Sequence, residues 1–240
     1  MTPSTREQLA HVSTATLTTA LLKRGLRNQF LQNVRPVAPK GRNMVGPAFT
    51  LRYIPAREDL NTLDVFRDPR HPQRVAIETC PAGDVLVIDS RGDARAASAG
   101  GILVTRLMVR GGAGIVTDGG FRDSPEIAML QLPAYHQRPS APTNLVLHQA
   151  VAINEPIACG GVAVFPGDIV VGDDEGVVIV PQHLADDVAR EAAEMTLFED
   201  FVTEQVKSGR SVIGLYPPTL PDVAGEFEKW RAARDRKATA

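Results

Sequence analysis

The hydrophobic and polar positions of this chain change period along its length, and the changes mark out its elements. Over residues 5–24, Leu9, Val12, Ala15, Leu17 and Leu21 recur at roughly helical spacing and Gly25 offers a stop, which predicts one helix. After the Pro/Gly-marked loop Arg35-Pro-Val-Ala-Pro-Lys-Gly41, residues 48–54 read as a strand. A short helix is predicted over 75–79, and Pro81-Ala-Gly83 then turns the chain into the apolar strand Asp84-Val-Leu-Val-Ile-Asp89.

Strand 85–88, a helix near 100–110 and strand 115–118 make a βαβ unit, and strands this continuously apolar imply a parallel pair covered on both faces. Ser124-Pro125 reads as an N-cap followed by proline at the first helical position, starting a helix through Leu130. That leaves Arg122 and Asp123 just outside a helix N-terminus. Beyond it the pattern shortens to strands at 145–151, 162–164, 169–172 and 177–180, broken by Gly160-Gly161, Pro166-Gly167-Asp168 and Asp173-Asp174-Glu175-Gly176. A long helix from about 184 to 208 ends at Gly209. Past Pro217, Pro218 and Pro221 lies a short amphipathic helix candidate whose Phe227 and Trp230 have two open destinations, this chain or a neighbouring subunit.

Composition narrows the function classes. The chain has 240 residues, 43 % hydrophobic and 22 % charged, long enough for one full core. A formal net charge of -2 and a pI near 6.2 give no electrostatic reason to expect nucleic acid or an anionic membrane as partner. Cys80 and Cys159 lie far apart with no Cys-x-x-Cys, so neither a zinc site nor a disulfide framework is expected, and buried thiols in a reducing cytoplasm are. No apolar run is long enough for a membrane span and no leader pattern opens the chain, so the expectation is a soluble cytoplasmic protein.

The candidate chemistry sits in Gly114-Ile-Val-Thr-Asp-Gly-Gly-Phe-Arg122-Asp123-Ser-Pro-Glu126, where an apolar strand runs through two glycines into adjacent guanidinium and carboxylate groups. Asp123 is a candidate hard oxygen ligand for Mg²⁺ or Mn²⁺; the alternative is a carboxylate placed there by the helix dipole. Arg122 could clamp a substrate carboxylate with its planar fork, or form an ion pair with Asp118 or Glu126. Gly100 and Gly101, opening a helix with Ile102 and Leu103, would leave backbone N–H groups for an anion, or serve only helix–strand packing. Gly111-Gly-Ala-Gly114 follows a helix and precedes a strand, the reverse of a dinucleotide fingerprint, so NAD binding is rejected. His71, His136, His148 and His183 are scattered without pairing, which favours structural or solvated roles.

Joined together, Gly101, twenty residues, Arg122-Asp123, two residues and Glu126, set within Gly83-Asp-Val-Leu-Val-Ile-Asp89 and Gly114-Ile-Val-Thr-Asp-Gly119, resemble the RraA-like family. Pro166-Gly-Asp168 and Asp174-Glu-Gly-Val-Val178 extend the resemblance, which runs from about Thr14 to Leu215 and leaves 216–240 as a C-terminal extension of a single domain over 1–240. The family includes 4-hydroxy-4-methyl-2-oxoglutarate aldolases, which also decarboxylate oxaloacetate, and the regulator of ribonuclease E activity. The resemblance implies an α/β fold, a compact αββα-type sandwich with N- and C-terminal helical extensions, assembled as a trimer or hexamer with active sites between subunits. It implies that Asp123 binds Mg²⁺ or Mn²⁺, that Arg122 holds the substrate's oxo and carboxylate oxygens, and that the backbone of Gly100, Gly101, Ile102 and Leu103 receives the carboxylate. It also implies that Glu199, ten residues before Gly209-Arg-Ser211, reaches the neighbouring subunit's site.

The implied activity is that of a lyase acting on a pyruvate-derived 2-oxo acid, since aldol cleavage and oxaloacetate decarboxylation leave the same enolate, which a metal and Arg122 would stabilise. No lysine lies near the motif, which suits a metal-dependent class rather than a Schiff base. One departure stands out. The aldolase members carry an aspartate for proton transfer where this chain has Gly101, with Asp89, Asp93 and Glu126 the nearest substitutes in sequence. The alternatives are a related 2-oxo-acid dehydratase and a non-catalytic regulator of an RNA-degrading enzyme.

Overall fold

Along residues 85–89, Val85 and Val87 enter one apolar cluster while Leu86 and Ile88 enter another, and all four are buried. A strand covered on both faces must lie in an inner layer. The computed structural model, which describes residues 1–238, builds the layers around that strand.

The first half of the chain supplies β1 (Arg35–Pro36), β2 (Met44–Pro55), β3 (Val85–Asp89), β4 (Ala97–Ala99), β5 (Gly114–Thr117), β6 (Gly120–Phe121), β7 (Ala134–His136) and β8 (Arg138–Pro139). The second supplies β9 (His148–Ile153), β10 (Ile157–Cys159), β11 (Val162–Val164), β12 (Ile169–Gly172) and β13 (Val177–Val180). The helices are α1 (Pro3–Ala10), α2 (Thr14–Leu22), α3 (Pro72–Thr79), α4 (Gly101–Val109), α5 (Ser124–Met129), α6 (Ala185–Lys207) and α7 (Val223–Ala238).

The main sheet runs β1-β7-β5-β3-β2-β12-β13, with β9 also on β2. Its centre, β2-β3-β5-β7, is parallel, and β12 and β13 join antiparallel. Helices α3, α4 and α5 cover one face of the parallel strands through Ile77, Val104, Leu107 and Ile127. The other face meets β10, β11, Val170 and Ile179, while Ile169, Val171, Val178 and Val180 on the opposite side of β12 and β13 pack under α1, α2 and α6. The alternation of each strand thus generates an α–β–β–α layering in one mixed α/β domain.

Several expectations need correction. The helix predicted over 5–24 is two helices, because Ser13 Oγ accepts from Thr16 N at 3.1 Å and starts α2, while Asn43 Nδ2 donates to the carbonyls of Leu9 and Val12 that α1 leaves open. The strand expected at 145–151 begins only at His148, after a 3₁₀ turn at Asn144–Val146. Ser124 does not cap α5; it is the first helical residue, its Oγ donates to Phe121 O at 2.9 Å, and Asp123 occupies the cap position. The two destinations left open for the C-terminal aromatics resolve to this chain: Phe227 and Trp230 pack on Phe198 and Phe201 of α6. Both cysteines are free and buried. Among the described residues no helix is long and apolar enough to cross a membrane.

Candidate active site

Short parallel pairing between β4 and β6 brings the Arg-Asp pair to the start of α4, with Arg122 N donating to Ala99 O at 3.1 Å. Asp123 adopts the left-handed conformation, φ 57°, which Asp tolerates better than most residues. Its Oδ2 accepts from Gly101 N at 3.0 Å and its Oδ1 lies 3.6 Å from Arg122 Nε. Glycine is required at position 100 by this approach: a Cβ there would sit 2.8 Å from Arg122 Cγ and 2.9 Å from Asp123 Oδ2. One N–H expected to face an anion is therefore held by Asp123, and the ion-pair partner of Arg122 is Asp123 rather than Asp118 or Glu126.

Gly100, Ile102, Leu103, Arg122 and Asp123 line one cavity of about 250 Å³, below the usual 300–1,000 Å³ of sites for larger ligands. The side chains of Arg122 and Asp123 are 47 % and 42 % exposed, open to a ligand without being fully solvated. Ile102, 86 % exposed, offers an apolar contact at the rim. Phe66, Arg74, Thr143 and Asn144 line the same cavity, and none of them is singled out by the sequence. Nothing in sequence spacing links 66, 74 and 144 to 122; only the crossing of α3 and the 3₁₀ turn at Asn144–Val146 over the sheet does.

Behind the pair, Asp118 accepts from Ser90 N, Gly92 N and Gly160 N at 2.7, 2.9 and 3.2 Å, so it ties the loops after β3 and β10 to β5. Burial pushes its carboxyl up, with Asp89 adding to the rise and the backbone donors opposing it. Ser98 Oγ and Thr117 Oγ1, 2.6 Å apart, lock β4 against β5. Of the possible replacements for a proton-transfer carboxylate, Asp89 is buried and accepts from Arg91 N, and Asp93 is held by Arg95, which pulls its pKa to about 2. Glu126 is exposed on α5. None of the three lines the cavity. His71, His136 and His148 are buried, and burial is the largest cause holding each below the ordinary imidazole range.

Glu199 lies on α6 outside this cavity, where Oε2 accepts from Thr16 Oγ1 at 2.9 Å and Oε1 from Tyr216 OH at 3.1 Å. Within one chain the structure does not bring it to Arg122 and Asp123. The donor set suits a hard cation: one half-exposed carboxylate leaves most positions to water, as Mg²⁺ and Mn²⁺ accept. Among the described residues no group of three or more His, Cys, Asp or Glu could form a closed cage.

A sequence profile described as RraA-like: Aldolase/RraA matches residues 14–179. The chain is 33 % identical over 152 residues to a putative 4-hydroxy-4-methyl-2-oxoglutarate aldolase of Halalkalibacterium halodurans, covering 62 % of this chain and 65 % of that protein. It is 26 % identical over 216 residues to protein DlpA of Legionella pneumophila, covering 88 % of this chain and 33 % of DlpA. The chain thus spans less than two thirds of either curated relative. Streptomyces coelicolor RraAS2, described as an unusual member of the RNase ES inhibitor RraA protein family, superposes with a TM-score of 0.73 at 32 % identity, covering 84 % of this chain and 96 % of that one.

Proposed function

Because the chain belongs to the RraA-like family, we propose that it is a divalent-metal-dependent carbon–carbon lyase acting on a pyruvate-derived 2-oxo acid. The observation that carries this reading is the adjacency of Arg122 and Asp123 at the N-terminus of α4, in a cavity of small-molecule size.

Aldol cleavage of a 4-hydroxy-2-oxo acid and decarboxylation of oxaloacetate both break the C3–C4 bond and leave its electron pair on C3, delocalised onto the 2-oxo oxygen. The Arg122 guanidinium sets a fixed positive charge and two parallel donors where that oxygen and the adjacent carboxylate would lie. The first turn of α4 adds the Ile102 N–H, since Gly101 N is held by Asp123 and Leu103 N by Gly100 O, together with the positive end of its dipole. Asp123 would hold Mg²⁺ or Mn²⁺, with Glu199 of a neighbouring copy facing its waters in a trimer or hexamer. When bound, the ion supplies Lewis acidity toward the same developing charge.

Proton transfer separates the two reactions. Cleavage must remove the proton of the 4-hydroxyl as C3–C4 breaks, whereas loss of CO2 needs no such base. With Gly101 at the helix start and no other carboxylate than Asp123 on the cavity wall, decarboxylation is the better-supported activity.

Purified protein incubated with oxaloacetate and Mg²⁺ or Mn²⁺ tests the reading. Pyruvate release that needs the metal and is lost in Asp123→Ala supports it; release equal to the metal-only blank sinks it. A second reading rests on the similarity to RraAS2: a surface-acting regulator of an RNA-degrading enzyme, which would bind such an enzyme equally well with Asp123 replaced.

A further inference from the structure

Around Glu199 on α6, acidic side chains are met by cations: Glu191 by Lys23 and Arg24, Glu194 by Arg231, and Asp200 by Arg234. Glu199 departs from these neighbours. No Lys, Arg or His pairs with it among the described residues, and its half-buried carboxylate instead accepts from two neutral hydroxyls, Thr16 Oγ1 at 2.9 Å and Tyr216 OH at 3.1 Å. Each takes a different oxygen. A carboxylate offers roughly four acceptor positions, so both oxygens of Glu199 keep room for a donor from outside the chain.

Both hydroxyls are themselves fixed. An ionised carboxylate cannot donate, so the Thr16 proton must point at Glu199, and Thr16 Oγ1 then accepts from Ser13 Oγ, 2.9 Å away. Ser13 Oγ accepts the Thr16 N–H at 3.1 Å, so the cap that starts α2 also orients the donor to Glu199. Tyr216 lies beyond the profile-matched residues 14–179, in the strap that leaves α6. Its ring stacks on Phe198 with centroids 6.3 Å apart, and Phe198 meets Phe227 of α7 edge-on at 5.3 Å. The C-terminal extension thereby sets where the phenol stands.

We infer that Thr16 and Tyr216 are positioning residues for Glu199, holding its carboxylate in one pose as an acceptor for the waters of the ion in a neighbouring copy. The inference rests on the metal-dependent lyase reading, in which Glu199 serves that ion, and adds what holds it. A glutamate free to turn about all its side-chain torsions would spend little time in a productive pose; one donor on each oxygen settles both the position and the plane of the carboxylate.

Steady-state decarboxylation of oxaloacetate by the full chain with Mg²⁺ tests this. Tyr216→Phe keeps the ring on Phe198 and removes only the hydroxyl, while Thr16→Val keeps the shape and removes the other donor. Each is expected to lower kcat about 10-fold, the effect of one hydrogen bond to a charged group, with KM and the melting temperature held. The two together should approach the loss in Glu199→Gln. Thr16→Ser restores the hydroxyl and should restore kcat; a packing role alone would lower the melting temperature and leave the serine variant impaired. Wild-type kcat in either Tyr216→Phe or Thr16→Val beside an inactive Glu199→Gln would overturn the inference, as would a Thr16→Val loss that serine does not rescue. If Thr16→Val does not fold, Tyr216→Phe decides alone. Failure of the underlying reading looks different: Glu199→Gln keeps full activity, or the wild type releases no more pyruvate than the metal-only blank.

Discussion

Asp123 Oδ2 accepts the Gly101 N–H at 3.0 Å, so the carboxylate that would carry the metal also closes the start of α4. Two roles on one side chain can be separated by substitution. Asparagine tolerates the left-handed backbone at φ 57° and can still accept the hydrogen bond, but has no charge for a cation. Asp123→Asn is therefore expected to melt within about 2 °C of the wild type while losing metal-dependent pyruvate release by roughly 10²-fold or more. Asp123→Ala should lose the activity and also about 1–2 kcal/mol of stability through the missing cap. Equal stability loss in both would mean that the charge, not the hydrogen bond, holds the helix start.

Glu199 and the Arg122–Asp123 pair lie on separate parts of one chain, Glu199 being tied to Thr16 and Tyr216. If the two meet only between copies, Glu199→Gln and Asp123→Asn are each inactive alone. Mixed after denaturation and refolding together, they should regain part of the wild-type rate, because some interfaces then combine an intact Glu199 with an intact Asp123. A mixture no more active than its components would mean that Glu199 and Asp123 do not meet across copies, and a fully active Glu199→Gln would place Glu199 outside the chemistry.

Position 101 offers a gain-of-function test. A Cβ at Gly101 would lie 3.2 Å from Asp123 Cβ, so Asp123 must give by a few tenths of an ångström to admit it. Gly101→Asp should raise cleavage of a 4-hydroxy-2-oxo acid relative to oxaloacetate decarboxylation, by up to about 10²-fold, the lower end of what a positioned acid/base supplies. The ratio of the two rates, measured on one preparation, is the readout. An unchanged ratio would remove the missing carboxylate as the reason for a decarboxylation bias.

An element of this fold is legible in the sequence where its signal is local. The doubly buried strand at 85–88, the parallel βαβ unit and the long helix ending near Gly209 were legible because each is written in contiguous periodicity. The break at Ser13 was not, since Leu9, Val12 and Leu17 hold a helical rhythm across it, and the Ser13 cap acts together with Asn43 contacts that come from a distant loop. Short pieces such as β4, β6 and β8 escape because two or three residues carry no period. At the site, Arg122-Asp123 and the glycines stood out as neighbours in sequence. Arg74 and Asn144 did not, being joined to them only through the fold.

The buried imidazole of His136 predicts how stability responds to acid. It stacks on Phe121 with ring centroids 5.6 Å apart, its Nδ1 has no partner, and burial pulls its pKa down to about 4. In the unfolded chain the same group takes its proton near the ordinary value of about 6.5, so between those values the unfolded state binds more protons. The stabilisation is then fully present above about pH 6.5 and is lost as pH falls toward 4, by an amount on the order of 3 kcal/mol at the lower limit. His71 and His148 act in the same direction, while the raised carboxyls of Asp89 and Asp118 act in the opposite one. Those contributions are common to the wild type and His136→Leu, so the difference between their stability curves isolates His136. Urea unfolding at intervals from pH 7.5 to 4.5 should show the leucine variant gaining on the wild type as pH falls; parallel curves would mean that His136 is protonated in the folded protein as readily as in the unfolded chain.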